Sequence, residues 1–212
     1  MKKIFISAIM AMSLFTSVNA KAANEKTMAL AVSPLFAVVS SANILYQYKV
    51  TDFLAITAPV NLSYNWVRKL LIEELFEQKS NSMPISFEIG VGAKFFMSSN
   101  KQKSLNDSFY LEPRLNFNYS QLDFSSAKYK INSTAMGIAP MAMLGWDWVY
   151  DGGFFMNLEG GAGVNFLVKN DTSTSLGDKD ANTIVNAFFG IPQSGDTWKF
   201  NYGIDFKLGY AF

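Results

Sequence analysis

The sequence predicts an all-β fold, an eight-stranded antiparallel transmembrane β-barrel with up-and-down connections, and three observations lead to it. The last residues alternate strictly between apolar side chains and small or polar ones. Segments with the same alternation recur along the chain. The chain also begins with the layout of an export signal. Together these features describe an exported chain that crosses a bilayer with strands instead of helices.

The C-terminal segment has one apolar face and one polar face. Every second residue is aromatic or aliphatic up to the end of the chain: Tyr202, Ile204, Phe206, Leu208, Tyr210 and Phe212. The intervening positions hold Gly203, Asp205, Lys207, Gly209 and Ala211. Successive side chains of a strand point to opposite faces, so this pattern predicts a lipid-facing wall over a polar interior.

The N-terminus predicts a secretory signal peptide in residues 1–20. Lys2 and Lys3 precede an apolar run, and a small-residue cleavage site ends at Ala20. The run is too short for a membrane-spanning helix. We therefore expect cleavage near Ala20 and a single β-barrel domain over residues 21–212.

Seven alternating segments precede the last one, and each has about the length that a tilted membrane strand needs. The eight predicted strands lie near residues 28–39, 43–50, 54–66, 85–97, 109–119, 134–150, 154–166 and 198–212. The connections at 51–53, 98–108 and 151–153 are predicted to be turns on one side of the barrel, and those on the other side are mostly longer, at 67–84, 120–133 and 169–197, although the first, at 40–42, is short. Residues 67–79 predict a short amphipathic helix, either a cap over the barrel mouth or a binding helix. Residues 183–191 are unusually apolar for an exposed loop and predict a folded loop; a ligand-contacting flap is one alternative, and an extra strand, which would allow a ten-stranded barrel, is the other.

Aromatic residues cluster near predicted strand ends, as in the interfacial girdles of membrane barrels. The predicted girdle comprises Tyr64, Trp66, Trp146, Trp148 and Tyr150.

Charged residues on the inward phase predict a network of ion pairs across the lumen. Its members are Lys49, Glu88, Lys94, Glu112, Arg114, Asp147, Glu159, Asp205 and Lys207. An eight-stranded barrel is only just wide enough for its own side chains, so we expect these charges to pair and close the lumen. The alternative is that part of this column is a gate in a narrow conduit.

Composition excludes several functional classes. The chain has no His and no Cys, which removes Ser-His-Asp, Cys-His and histidine-based metal chemistry. Lumen carboxylates such as Glu88, Glu112 and Glu159 are better explained as structural ion-pair partners than as a catalytic pair. A net charge of +1 gives no indication of nucleic-acid binding. We expect no enzymatic activity, no catalytic residue, no cofactor and no metal.

In signal peptide, strand number, loop asymmetry and terminal Phe212, the chain resembles the small bacterial outer-membrane barrels of the OmpA transmembrane-domain and OmpX type. The resemblance implies a place in the outer membrane of a Gram-negative envelope, with outer-membrane lipid and lipopolysaccharide around the barrel. It also implies that the terminal alternation from Tyr202 to Phe212 is the signal recognised by the barrel assembly machinery, with periplasmic chaperones as earlier partners.

The expected role is structural, or adhesive through extracellular loops that contact an outside partner. Two alternatives remain. One is a narrow, porin-like passive channel for small or hydrophobic molecules. The other is a soluble periplasmic lipid-binding barrel with its apolar face turned inward, which the aromatic clusters at strand ends disfavour.

Overall fold

Eight antiparallel strands form one closed ring in the computed structural model, which describes residues 26–34, 41–64, 85–98, 105, 107–125, 130–175 and 195–212. Each strand pairs with the next in the chain, and the last pairs with the first through Ala29 and Ala211. The strands are β1 (Met28–Val32), β2 (Ser41–Lys49), β3 (Leu54–Tyr64), β4 (Ile85–Phe96), β5 (Phe109–Ser125), β6 (Lys130–Val149), β7 (Phe154–Ser175) and β8 (Trp198–Ala211). The prediction of eight strands is confirmed, and the ring closes without the ten-stranded alternative.

The two ends of the ring differ. At one, which we call the turn end, β2 joins β3 and β6 joins β7 through short turns; Gly153, in the second, has a φ of 92° that favours glycine. At the other, which we call the loop end, are the two longest connections, from β3 to β4 and from β7 to β8, together with the short one from β5 to β6. The predicted signal peptide, the amphipathic segment at 67–79 and the apolar stretch at 183–191 lie outside the described residues.

Strands β5, β6 and β7 continue past their neighbours at the loop end. β4 begins opposite Gln121 and β8 begins opposite Phe166, whereas β6 pairs with both flanking strands as far as Lys130. We call this extension, residues 122–125, 130–133 and 171–175, the ribbon. The predicted loops at 120–133 and 169–197 were thus too long, because backbone pairing continues where the apolar alternation has ended.

The strands are tilted around the interior of the ring. The shear of the barrel measures this tilt. When one follows paired residues once around the eight strands, the path returns to β1 about ten positions from its start. Inward glycines leave room for large neighbours. A Cβ at Gly92 would overlap the Glu112 carboxylate, and one at Gly145 would overlap the Tyr110 hydroxyl. Small residues on one strand therefore accommodate polar side chains of the next.

The outer wall is apolar around the ring. Its exposed side chains include Val91 and Leu115, in the middle of their strands, and aromatic residues near both ends. Within the described ranges, no helix is long and apolar enough to cross a membrane.

Candidate functional site

The half of the interior towards the turn end holds a buried ion pair between Lys94 and Asp147. Lys94 Nζ lies 2.9 Å from Asp147 Oδ1 and donates to Gln47 Oε1 at 2.8 Å. Asp147 also accepts hydrogen bonds from Gln47 Nε2 at 3.0 Å and Asn157 Nδ2 at 2.8 Å. The ammonium lies 4.1 Å from the centre of the Tyr110 ring, a favourable cation–π distance. Five strands contribute to this group of contacts (β2, β4, β5, β6 and β7), so it joins opposite walls.

Arg114 forms the centre of the next layer. Its guanidinium holds Glu112 through Nε at 2.9 Å and Nη2 at 2.8 Å, and Glu159 through Nη1 at 3.0 Å and Nη2 at 2.8 Å. Thr57 Oγ1 donates a further short hydrogen bond to Glu112. Such bidentate contacts are among the strongest that arginine makes with carboxylates. The arginine therefore bridges β5 and β7 across the lumen.

Lys207 extends this layer to β8. Its Nζ lies 2.7 Å from Glu159 Oε1 and 2.6 Å from Asp205 Oδ2. Asp205 also accepts a hydrogen bond of 2.7 Å from Asn43 Nδ2 on β2. The chain of contacts thus runs from β5 through β7 and β8 to β2.

Tyr110 connects the two layers. Its hydroxyl donates to Glu159 Oε2 at 3.1 Å and accepts from Asn157 Nδ2 at 2.7 Å. We call the joined layers the interior network. Its three cations each contact at least one of its four carboxylates, and every one of these seven side chains is buried: Lys94, Arg114, Lys207, Glu112, Asp147, Glu159 and Asp205. Mutual pairing is what makes the burial of so many charges tolerable.

An apolar cluster lies between the network and the turn end. Leu105, in the connection between β4 and β5, is fully buried. It belongs to the same buried cluster as Leu45, Val149 and Phe155. The turn end is therefore filled by side chains, one of which comes from a connection and not from a strand.

A polar cavity of about 190 Å³ lies at the loop end, beyond the network. We call it the vestibule; its lining includes Asn61, Ser86, Glu88, Asn118, Asn165, Lys199 and Asn201. Asn118 and Asn165 exchange two hydrogen bonds of 3.0 Å. Glu88 accepts a hydrogen bond of 3.1 Å from Asn116. The lumen is thus filled in one half and hollow in the other.

The structure brings together seven of the nine charged residues that the sequence analysis assigned to the lumen. The prediction that Lys49 belongs to the lumen network was wrong. Its ammonium lies 2.9 Å from Asp52, in the adjoining turn, and no described ion pair joins it to the network. A partner three residues away is within reach at the end of a strand without crossing the lumen. Glu88 lines the vestibule, beyond the network.

The neutral members of the network were missed. Gln47, Thr57, Tyr110 and Asn157 are fully buried, and each bonds a charged member of the network. They share the inward phase of their strands with the predicted charges. That phase was a usable signal, since a polar residue there must find a partner inside the ring.

The predicted girdle residues that the structure describes lie on the outer wall. Tyr64 is near the loop end, while Trp146, Trp148 and Tyr150 are near the turn end. The rings of Trp146 and Trp148 are stacked with their centroids 6.1 Å apart. Trp66 lies outside the described residues.

The predicted assembly signal forms the outer face of β8. Tyr202 and Ile204 are largely exposed. Phe206, Leu208, Tyr210 and Phe212 are partly exposed. The backbone of Phe212 is tied to β1, since its N–H donates to the Met28 carbonyl at 2.8 Å.

The described residues contain no group of three or more potential metal ligands. Their interior offers ion pairing and hydrogen bonding. Comparison with protein-family models, with curated proteins and with solved structures gives no match. The functional argument therefore rests on the fold and on the contacts inside the ring.

Proposed function

We propose that this chain is a non-enzymatic outer-membrane β-barrel that presents its loop end to the outside of a Gram-negative cell. In this proposal the signal peptide is removed near Ala20, and the apolar outer wall contacts lipid and lipopolysaccharide. The C-terminal alternation ending at Phe212 directs assembly by the barrel assembly machinery. The role is structural and adhesive, through the ribbon and the longer connections.

One contrast within the ring carries the proposal. Side chains block the lumen, through which a channel would conduct, whereas the strands extend at the loop end, where an outside partner would bind. The interior network and the cluster around Leu105 occupy the lumen. The ribbon continues three strands beyond the rest of the ring. Strand pairing outside the apolar belt gives a rigid surface, which costs less ordering entropy on binding than a flexible loop does.

The exposed apolar wall supports the membrane location. In a soluble barrel, side chains such as Val91, Leu115 and Leu144 would be exposed to water while the charged network was buried inside. Such an arrangement places both kinds of side chain in an unfavourable environment. In a bilayer the same wall is matched to its solvent, and ring closure satisfies the backbone polar groups.

Site-specific labelling tests the location and the orientation, because the chain has no native cysteine. Asn132→Cys places a thiol on the exposed face of the ribbon, and Gly152→Cys places one at the turn end, where an added Cβ meets no atom within 4 Å. In intact cells we expect a membrane-impermeant maleimide to modify only the first variant. After lysis it should modify both. Labelling of the Gly152→Cys variant in intact cells would contradict the orientation.

Planar-bilayer recording separates the structural role from the channel alternative. With the network intact, the refolded mature chain should give no discrete conductance steps, because Arg114 and its partners cross the lumen. Steady steps from a preparation that shows heat-modifiable gel mobility would favour the narrow channel instead.

Shortening the ribbon tests the adhesive role. Residues 123–132 can be replaced by an Asn-Gly turn, because Leu122 and Ser133 are directly paired and such a turn joins paired strands. Cells that display this variant should lose attachment to host-cell or matrix surfaces while keeping a folded barrel. Equal attachment of both kinds of cell would remove the ribbon from the proposal.

A further inference from the structure

The vestibule has a composition unlike the rest of the interior. Its lining is dominated by amide and hydroxyl groups, with Asn61, Asn118, Asn165 and Asn201 on four different strands. Amides and hydroxyls both donate and accept hydrogen bonds. A surface of this kind matches a ligand that does both at closely spaced positions.

The charges in the lining do not select an ion. One carboxylate, Glu88, and one ammonium, Lys199, line the cavity from β4 and β8. Their opposite signs cancel, so the lining as a whole favours neither a cation nor an anion. Phe87 and Leu122 add some apolar surface, but a ligand that is hydrophobic throughout is disfavoured, because the amides and hydroxyls would lose their hydration without gaining partners.

The vestibule also has an unmet requirement for a donor. Asn61 Oδ1 is buried from solvent and finds no hydrogen-bond partner among the described residues. A buried acceptor without a donor costs free energy that a ligand hydroxyl or a water molecule would recover. The donor must come from the open side, because the network and the Leu105 cluster fill the other half of the ring.

From these features we propose that the vestibule is a blind pocket for a small neutral polyhydroxyl ligand of the size of one sugar ring. The volume of about 190 Å³ suits such a ligand and is below the usual range for drug-sized ones. The ligand enters from the loop end and stops above Asn116 and Arg114. Leu122 and Ser133, at the base of the ribbon, also line the vestibule, but sugar binding does not require the adhesive role and needs no particular orientation in a cell.

Saturation-transfer NMR on the full mature barrel tests the pocket. The barrel is refolded in a polyoxyethylene detergent, which contains no sugar, and the probes are glucose, both methyl glucosides, cyclohexanol and tetramethylammonium. We expect the sugars to bind at least tenfold more tightly than the other two probes. Binding of glucose alone assigns a free sugar, and binding of a methyl glucoside assigns the terminal residue of a glycan.

Two variants locate the binding site. Asn201→Leu removes an amide whose described side-chain contact is only a 3.4 Å bond to Met141 Sδ, and it fills part of the cavity. It should weaken sugar binding at least tenfold. The matched control Asn132→Leu makes the same change on an exposed position of β6 and should leave binding unchanged. If Asn201→Leu does not fold, Asn165→Leu on the neighbouring strand β7 takes its place.

Three results would overturn the proposal. The first is the absence of any saturation-transfer signal from the folded wild-type barrel at sugar concentrations up to about 100 mM. A dissociation constant above that value would be too weak for recognition. The second is binding of cyclohexanol or tetramethylammonium as tight as that of the sugars. The third is equal loss of binding in Asn201→Leu and Asn132→Leu.

Discussion

Replacing Arg114 with methionine removes the cation that bridges Glu112 and Glu159. Four hydrogen bonds of 2.8 to 3.0 Å are lost. Glu159 keeps Lys207 at 2.7 Å, whereas Glu112, which is fully buried, keeps only the Thr57 hydroxyl among its described contacts. Breaking a buried pair in this way leaves an uncompensated charge and costs about 3 to 5 kcal/mol. We therefore expect Arg114→Met to lower the free energy of unfolding by that amount.

The assay is denaturant unfolding of the barrel refolded into phospholipid vesicles, followed by tryptophan fluorescence and gel mobility. Lys49→Met is the matched control. It removes another inward-phase cation, which lies on β2 and is paired with a carboxylate of the adjoining turn. Asp52 is half exposed, so the control should lose less than about 1 kcal/mol.

A second substitution identifies the cause of the loss. If the stranded carboxylate is responsible, Arg114→Met combined with Glu112→Gln should regain about 2 kcal/mol relative to the single variant, because the buried charge is gone. Equal losses in Arg114→Met and Lys49→Met would refute the argument, as would a double variant less stable than the single one.

The remaining predictions concern packing and the outer wall. Gly92→Ala should cost about 1 to 3 kcal/mol, because its Cβ would overlap the Glu112 carboxylate, whereas Gly203→Ala, with no atom within 4 Å, should stay within about 0.5 kcal/mol; vesicle unfolding compares the two. Leu105→Ala should lower the free energy of unfolding by about 2 to 5 kcal/mol through the cavity it leaves, and a loss under 1 kcal/mol would mean that the turn end is not packed around it. Leu208→Arg, on the outer face of β8, should cost about 2 to 4 kcal/mol in a bilayer and reduce the yield of assembled barrel in membrane fractions; normal assembly would place that face away from lipid.

The faces of the strands were predictable from the sequence because alternation reports directly which side chains point inward. The strand ends at the loop end were not. Gln121 and Asp123 continue the outward face of β5 with polar side chains, because a strand outside the apolar belt needs no apolar outward face. The outward alternation that ends at Tyr119 therefore does not mark the strand end. Backbone pairing to β6 maintains the strand there, and pairing partners are not visible in a single segment.

The partners inside the lumen were also beyond a pattern-based prediction. Lys49 and Lys94 both occupy inward phases, yet one pairs within its own turn and the other crosses to β6. The difference depends on the register of strands that are far apart in sequence. Alternation alone would also treat Lys207→Gln as mild, whereas the structure has Lys207 holding two buried carboxylates.

The network brings together residues that are far apart along the chain, which constrains the order of assembly. Gln47 and Asp147 are separated by 100 positions, and Asn43 and Asp205 by 162. These contacts form only after most of the strands have assembled, so they stabilise the barrel late in folding. For a barrel that enters a bilayer as proposed, a half-formed sheet would expose Lys94 and Asp147 to hydrocarbon without partners. Insertion and ring closure must then proceed together, and the charged interior acts as a check that rejects partly built sheets.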